Sequence, residues 1–144
     1  MRKLAIALAV LAVLSGGCGR SPSLEKELVG LCEEYTGLFA ARKYDECARY
    51  LTGQALMEFE VSRPLLEAMG QVETKVSDFR GKVDFLNRPR DRASVRCTWV
   101  QETSVPGSGT WTMKADVVYE LVKLKDRWLI SSIKLVSQEG GGEK

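Results

Sequence analysis

Cysteine supplies the most reactive side chains of this 144-residue chain, which has no histidine. Cys18 follows an apolar run near the start, and Cys32, Cys47 and Cys97 lie further along. Because three is an odd number, at most one disulfide can form among the last three within one chain. We expect all three to be small buried apolar side chains. Since histidine and Cys-x-x-Cys spacing are both absent, the sequence predicts no metal site and suggests no cofactor.

The segment before Cys18 has the layout of an export signal. Arg2 and Lys3 precede Leu4–Leu14, in which every residue is Leu, Ala, Ile or Val. This run is too short to cross a bilayer, which takes about 20 residues, but it suits the apolar region of a signal peptide. The small residues 15–17 then lead directly to Cys18.

This pattern resembles a bacterial lipoprotein signal with its lipobox, a family that prefers leucine at the position held here by Ser15. The resemblance implies that residues 1–17 are a signal peptide and that a diacylglycerol is attached to Cys18. It places the domain outside the cytoplasm, at the bacterial cell envelope. Residues 18–23 would form the lipidated cysteine and a short tether rich in Gly, Ser and Pro. The alternative is an ordinary secretory signal with an incidental cysteine.

The charge balance argues against nucleic acid as a partner. Removal of residues 1–17 takes away Arg2 and Lys3, which leaves 19 of the 21 basic residues against 19 acidic ones. Nucleic-acid binding relies on many phosphate contacts and therefore on excess positive charge. The length that remains suits one domain.

The periodicity of the apolar residues predicts helices first and strands afterwards. Steps of three and four predict a helix over residues 24–41, followed by helices over 44–51 and 53–63, the last of these capped by Thr52. Pro64 is expected to interrupt the third helix, because proline lacks the amide donor and clashes one turn back. Residues 65–70 are expected to continue as one more turn, closed by Gly70.

Period-two alternation begins after Val72 and predicts four half-buried strands, over residues 76–85, 93–99, 111–121 and 128–136. Gly81 is a candidate bulge in the first strand. In the last strand the apolar residues fall on both faces, which either a bulge near Ser131 and Ser132 or burial of both faces would explain. Short connections make the strands an antiparallel meander. The prediction is one α+β domain over 24–138 with its helices on one face of the sheet, and a disordered tail over 139–144.

Helices followed by a curved meander, with WLISSI in the last strand and LFAARKYDECARYLT between the first helices, resemble the nuclear-transport-factor-like superfamily. That family has a cystatin-like, cone-shaped α+β fold. The resemblance implies a sheet curled around the helices with a pocket at its open end. Its members include isomerases, dehydratases and non-catalytic binding or adaptor domains, and fold alone does not choose among them.

Five aromatic residues are candidates for lining such a pocket: Tyr35, Tyr50, Trp99, Trp111 and Tyr119. The alternative is that they simply fill the core. No catalytic residue is identified, because histidine is absent, Asp116 and Glu120 are predicted to face solvent, and Asp45 opens a helix.

The first and third hairpin turns of an antiparallel meander lie at the same end of the sheet. Six basic residues would therefore gather on one rim: Arg88, Arg90, Arg92, Lys123, Lys125 and Arg127. Such a rim could meet anionic headgroups or envelope polymers. The alternative is that these side chains keep the turns soluble and discourage pairing at sheet edges.

The sequence thus predicts an envelope-anchored lipoprotein that acts as a non-catalytic binding or protein-interaction module. Its partners would be the membrane, through the lipid on Cys18, and an envelope protein or small ligand. The alternative function is a small-molecule enzyme of isomerase or dehydratase type that uses the cone cavity. The sequence does not decide between a monomer and a dimer.

Overall fold

The computed structural model describes residues 22–142, with side chains over 23–140. Its elements are α1 (Pro22–Ala40), α2 (Tyr44–Ala48), α3 (Gly53–Ala68), β1 (Glu73–Leu86), β2 (Arg92–Val105), β3 (Gly109–Leu124) and β4 (Arg127–Gly142). The strands form one antiparallel sheet in the order β1-β2-β3-β4. The predicted α+β fold, with helices before a four-stranded meander, is confirmed.

The hydrophobic core lies between the helices and one face of the sheet. Alternate residues of β2, from Ala93 to Trp99, are buried, and so are alternate residues of β3 from Ala115 to Leu121. Leu28 and Cys32 of α1 and Phe59 of α3 pack onto the same core. The period-two pattern therefore marks the face that the helices cover.

Gly81 is not the bulge of β1. It pairs in register with Cys97, and the two irregularities of the strand fall on either side of it, between Ser77 and Arg80, where Asp78 has a φ of 52°, and between Val83 and Phe85. A Cβ atom on Gly81 would lie 2.6 Å from Cγ1 of Val29 in α1. The glycine therefore allows α1 to approach β1 closely.

The bulge predicted near Ser131 is confirmed. Glu120 of β3 pairs with Ser132, and Leu121 pairs with Ile130, which leaves Ser131 as the extra residue. The Ser131 hydroxyl donates a hydrogen bond to the Glu120 carbonyl oxygen (3.1 Å). The bulge lets Ile130 and Ile133 share one face of the sheet despite their odd spacing.

Helix α3 continues through Pro64, so the predicted interruption is wrong. Proline removes one backbone hydrogen bond, but Glu60 and Pro64 are both exposed, so the lost bond costs less than it would in a buried helix. Beyond Pro64, the Arg42 guanidinium donates to the carbonyl oxygens of Leu66 and Met69 (both 2.8 Å) at the end of the helix. Thr52 is the N-cap residue of α3, as predicted, but its side chain makes no capping bond. Its backbone N–H donates instead to the Ile130 carbonyl oxygen (2.9 Å).

Strand β4 extends past the end predicted for the domain. Residues 138–142 pair with residues 111–115 of β3, so 139–142 belong to the sheet and are not the start of a disordered tail. Glycine weakens a strand but offers the same backbone donor and acceptor as other residues, and the long β3 supplies a partner for them. Residues 143–144 lie outside the described part of the chain.

The cysteines behave as predicted. Cys32, Cys47 and Cys97 are all buried and free. Burial raises the pKa of the Cys47 thiol to about 11. The thiol is therefore neutral at physiological pH and packs as a small apolar group.

Candidate functional site

A cleft of about 410 Å³ opens between α1, α3 and the face of the sheet that the helices cover. Helix α1 contributes residues from its C-terminal half, α3 contributes one face, and each of the four strands contributes at least one residue. The lining residues are Tyr35, Thr36, Phe39, Ala40, Ala55, Glu58, Phe59, Ser62, Leu66, Val76, Trp99, Gln101, Val117, Tyr119, Ile133 and Leu135. Its wall is predominantly apolar.

Aromatic rings form a row at this cleft. Phe79 stacks on Trp99 with ring centroids 5.8 Å apart, and Trp99 stacks on Tyr119 at 6.4 Å. Tyr35 meets Tyr119 edge-on at 6.1 Å. Contacts of this kind add to the free energy of burial and restrict the rotation of each ring. The wall is therefore a preformed apolar surface.

Two hydroxyl groups supply the polar part of the inner wall. The Thr36 hydroxyl donates to the Cys32 carbonyl oxygen (2.7 Å), which uses its one proton. The Tyr119 hydroxyl, 2.7 Å from the Thr36 oxygen, is therefore the donor between the two. Burial raises the pKa of Tyr119 and of Tyr35 above the ordinary tyrosine value. Both phenols stay protonated at neutral pH.

Glu58 and Gln101 are two further polar residues of the wall, and each has a hydrogen-bonded neighbour. The Glu58 carboxylate is exposed and accepts a hydrogen bond from the Gln54 amide (2.7 Å). The Trp99 indole N–H donates to the Gln101 side-chain oxygen (3.4 Å), and the Gln101 amide donates to Thr103 (3.3 Å). Glu58 is thus the charged member of the lining, and it lies on the exposed side.

Of the five aromatic residues predicted to line a pocket, the structure brings three together: Tyr35, Trp99 and Tyr119. Trp111 lies near the start of β3, opposite Thr103 of β2, and is 40% exposed. Tyr50 follows α2, where its carbonyl oxygen accepts from the Ile130 N–H (2.7 Å). Burial, followed by a hydrogen bond with Glu34, raises the pKa of Tyr50 to about 12.

Sequence reasoning missed the contribution of α3 to the cleft. Ala55, Phe59, Ser62 and Leu66 recur at steps of three and four and share one helix face. That spacing was visible in the sequence. Three of the four precede Pro64 and lie in the predicted third helix, but which element that helix face packs against is not a local property of the sequence.

The carboxylates considered for acid–base chemistry form ion pairs outside the cleft. Asp45 pairs with Arg63, Asp116 with Arg96 (2.6 Å) and Glu120 with Lys134 (3.0 Å). Hydrogen bonds from the arginines hold the pKa values of Asp45 and Asp116 below the usual range. Over residues 22–142, no group of three or more Cys, Asp or Glu side chains is placed to hold a metal ion.

The two turns predicted to form a basic rim do lie at one end of the sheet. The Lys123 N–H donates to the Asp91 carbonyl oxygen (2.8 Å), which joins the first turn to the third. The Arg127 guanidinium donates to the Arg49 carbonyl oxygen (2.8 Å) at the end of α2. Arg49 therefore belongs to this end of the molecule as well, a neighbour that no local sequence signal indicates.

Cys18 and the proposed signal lie outside the described residues. Within the described part, no helix combines the length and apolar character that a membrane span requires.

Comparison with known proteins identifies the fold alone. No family model and no curated protein matches the chain. The intermembrane space region of the chloroplast protein ARC6 superposes with a TM-score of 0.60 at 16% identity, over 81% of this chain and 97% of that one. The Kfla4162 protein from Kribbella flavida superposes with a TM-score of 0.56 at 16% identity, over 83% and 95% of the two chains.

Proposed function

We propose that this chain is an envelope-anchored lipoprotein whose domain is a non-catalytic binding module for an apolar segment of another envelope protein. The observation that carries this proposal is the aromatic cleft of about 410 Å³. Apolar walls with a few polar groups are typical of sites where proteins bind ligands. We further propose that the domain is a cone of the nuclear-transport-factor-like type, because its cleft lies between the helices and the sheet they cover.

The polar groups of the cleft favour binding over catalysis. General acid–base catalysis needs a group whose pKa lies near the working pH. The Thr36 and Tyr119 hydroxyls already bond to each other, and burial moves the pKa of Tyr119 further from neutrality. Glu58, the carboxylate of the lining, is exposed and bonded to Gln54.

An apolar stripe on α3 extends the binding surface beyond the cleft. Met57, Val61 and Leu65 are 64%, 78% and 68% exposed and lie one helical turn apart. The residues that directly follow them in the sequence, Glu58, Ser62 and Leu66, line the cleft. The stripe therefore runs along the side of the cleft. A contiguous exposed apolar patch of this kind marks a site of protein interaction. The exposed carboxylates of Glu58 and Glu60 flank it and favour a partner segment with basic residues.

A neutral fluorophore tests the cleft. Phenylnaphthylamine should bind the purified protein, and Leu135→Asp should weaken its binding about tenfold, which corresponds to about 1.4 kcal/mol. Leu135 lines the cleft and is 60% exposed, so the change does not disturb the core. Val136→Asp is the matched control, because Val136 is 50% exposed and lies outside the lining. Equal binding to both variants, or none to the natural chain, would overturn the proposed site.

A peptide tests the kind of partner. An amphipathic helical peptide of leucine and lysine should displace the fluorophore, whereas the same peptide with glutamate in place of lysine should not. Val61→Asn, on the stripe but outside the lining, removes apolar surface without adding charge, and should weaken the peptide and leave the fluorophore unaffected. If Val61→Asn changes neither ligand, the stripe is not part of the site and a small ligand is the better assignment.

The anchor is tested separately by mass spectrometry of the chain produced in a bacterial host. We expect a chain that starts at Cys18 and carries acyl groups, and a Cys18→Ser variant that keeps Met1. An intact Met1 and an unmodified Cys18 in the natural chain would overturn the lipoprotein assignment and leave the cleft experiments unaffected.

A further inference from the structure

One end of the sheet carries a concentration of positive charge that the cleft does not use. We name this the cationic rim: Arg49, Arg88, Arg90, Arg92, Lys123, Lys125 and Arg127. Two acidic residues, Asp91 and Asp126, lie in the same turns, and Glu46 lies beside Arg49 in α2, so the net charge of the rim is +4. Without residues 1–17 the chain has 19 basic and 19 acidic residues and a formal net charge of zero, which leaves −4 for the remainder. Positive charge is therefore concentrated at the rim.

Backbone contacts fix the rim as one surface. The first turn is joined to the third by the bond from the Lys123 N–H to the Asp91 carbonyl oxygen (2.8 Å). Within the first turn, the Asn87 side-chain oxygen accepts from the N–H groups of Asp91 and Arg92 (both 3.0 Å). The third turn is joined to α2 through Arg127 and Arg49 (2.8 Å). The cations are thus held together by ordered backbone.

The turn chemistry differs between the two ends of the sheet. At the rim, Lys125 and Asp126 adopt φ values of 49° and 63°, which strain residues other than glycine. At the opposite end, the turn between β2 and β3 places Gly107 and Gly109 at φ values of 78° and 99°. Two-residue hairpin turns with both φ values positive favour Asn-Gly and similar pairs. Lys125 therefore places a positive charge at a position where the backbone conformation favours glycine or asparagine.

The helix that follows the proposed anchor starts at the rim end. The Glu25 carboxylate accepts a hydrogen bond from the Val83 N–H (3.2 Å), and Val29 packs over Gly81. Val83 lies three residues, or about 10 Å, before the end of β1, which is the end at the rim. Moving toward the start of α1 therefore moves toward the rim. Three residues lie between Cys18 and Pro22, and the four residue steps from one to the other span at most about 14 Å.

We infer that the cationic rim lies against anionic lipid headgroups and turns the cleft away from the bilayer. This inference rests on the proposed lipid anchor at Cys18. Anionic headgroups attract basic residues that lie within about one Debye length, which is about 8 Å at physiological salt. The residues that line the cleft begin near the middle of the sheet and extend away from the rim as far as Val76. Val76 lies ten residues, or about 30 Å, along β1 from Leu86 at the rim end. The anchor and the rim thus hold the same end at the membrane, and the half with the cleft faces the partner.

Hydrogen exchange on the full lipidated chain tests this orientation, because the second hairpin turn, between β2 and β3 at the opposite end of the sheet, is an internal control. The chain is bound to vesicles of phosphatidylcholine alone or mixed with phosphatidylglycerol. We expect exchange in the two rim turns, over residues 87–91 and 124–127, to slow about tenfold on the anionic vesicles only. The turn over residues 105–109 should exchange equally on both. Raising the salt to about 1 M shortens the Debye length to about 3 Å and should remove the effect.

Charge variants separate the rim from a general effect of charge. Replacement of Arg92, Lys123 and Lys125 by glutamine should abolish the protection. The control replaces Lys43, Lys75 and Lys114, which are exposed and lie outside the rim, and should retain it. Exchange that is equal on both vesicles, protection of all three turns, or the same protection by free inorganic phosphate on neutral vesicles would overturn the inference. Binding of the chain to neutral vesicles depends on the lipid at Cys18 and not on the rim. Loss of this binding would therefore show that the proposed anchor is wrong, whatever the rim does.

Discussion

At the scale of single residues, Gly81 shows how one missing side chain positions a helix. We expect Gly81→Ala to lower the free energy of unfolding by about 1–3 kcal/mol. The new Cβ would lie 2.6 Å from Cγ1 of Val29 and 3.3 Å from the Cys97 sulfur. Val29 cannot easily move away, because a β-branched side chain in a helix has one preferred rotamer. Urea denaturation followed by circular dichroism measures the change.

Two other glycines serve as controls for this substitution. Gly30 and Gly37 lie within α1, and a Cβ on either would meet nothing within 4 Å. Replacement of either by alanine should raise stability by about 0.5–1 kcal/mol, because glycine is a poor helix former. The same chemical change is thus expected to have opposite signs at different positions. A Gly81→Ala variant as stable as the natural chain would contradict the close contact between α1 and β1.

At the scale of elements, α3 depends on a residue outside itself. The Arg42 guanidinium bonds to the carbonyl oxygens of Leu66 and Met69, which the helix leaves without internal partners. We expect Arg42→Ala to cost about 1–3 kcal/mol, since bonds to charged groups are among the stronger ones. Arg42→Lys should rescue little, because one ammonium does not reproduce the planar fork of a guanidinium.

Backbone strain at Arg42 provides a second comparison. Its φ is 61°, a value that glycine adopts without cost and alanine does not. Arg42→Gly should therefore be more stable than Arg42→Ala by about 1 kcal/mol, although both lose the cap. Thermal unfolding of the three variants gives the order. If Ala and Gly are equally stable, the strain at this position has been overestimated.

At the scale of the whole molecule, we expect stability to be flat from about pH 5 to pH 8, because the chain has no histidine. The pKa values of Asp45 and Asp116 are lowered in the folded state. Their contribution is therefore complete above the ordinary aspartate pKa and is lost as the pH falls through the folded value. An Asp45→Asn, Asp116→Asn double variant should lose stability less steeply below pH 4 than the natural chain.

The alkaline side has the opposite sign. The pKa of Cys47 is raised from 9.0 to about 11 in the folded state, and that of Tyr50 is raised from 10.0 to about 12. The neutral forms stabilise the fold below the unfolded pKa values, and this contribution is lost as the pH rises through the folded ones. The midpoint of urea unfolding should therefore fall above about pH 9. A midpoint that declines between pH 6 and pH 8 would contradict both expectations.

The sequence by itself determined the order of the elements, the meander and the face of the sheet that is buried. These follow from periods of 3.6 and 2, which are local properties of the backbone. It also identified Tyr35, Trp99 and Tyr119 as candidates and placed the bulge near Ser131. The interruption predicted at Pro64 was wrong, because proline lies on the exposed side of a helix whose other face packs against the sheet.

Only the tertiary structure decided which side chains meet. Trp111 is apolar and alternates in step with the buried positions of β3, yet it lies too near the end of the strand to reach the cleft. The face of α3 that lines the cleft and the place of Arg49 beside Arg127 depend on how separate elements pack. Periodicity tells which face a residue occupies, but proximity between elements is set by packing, which no local pattern encodes.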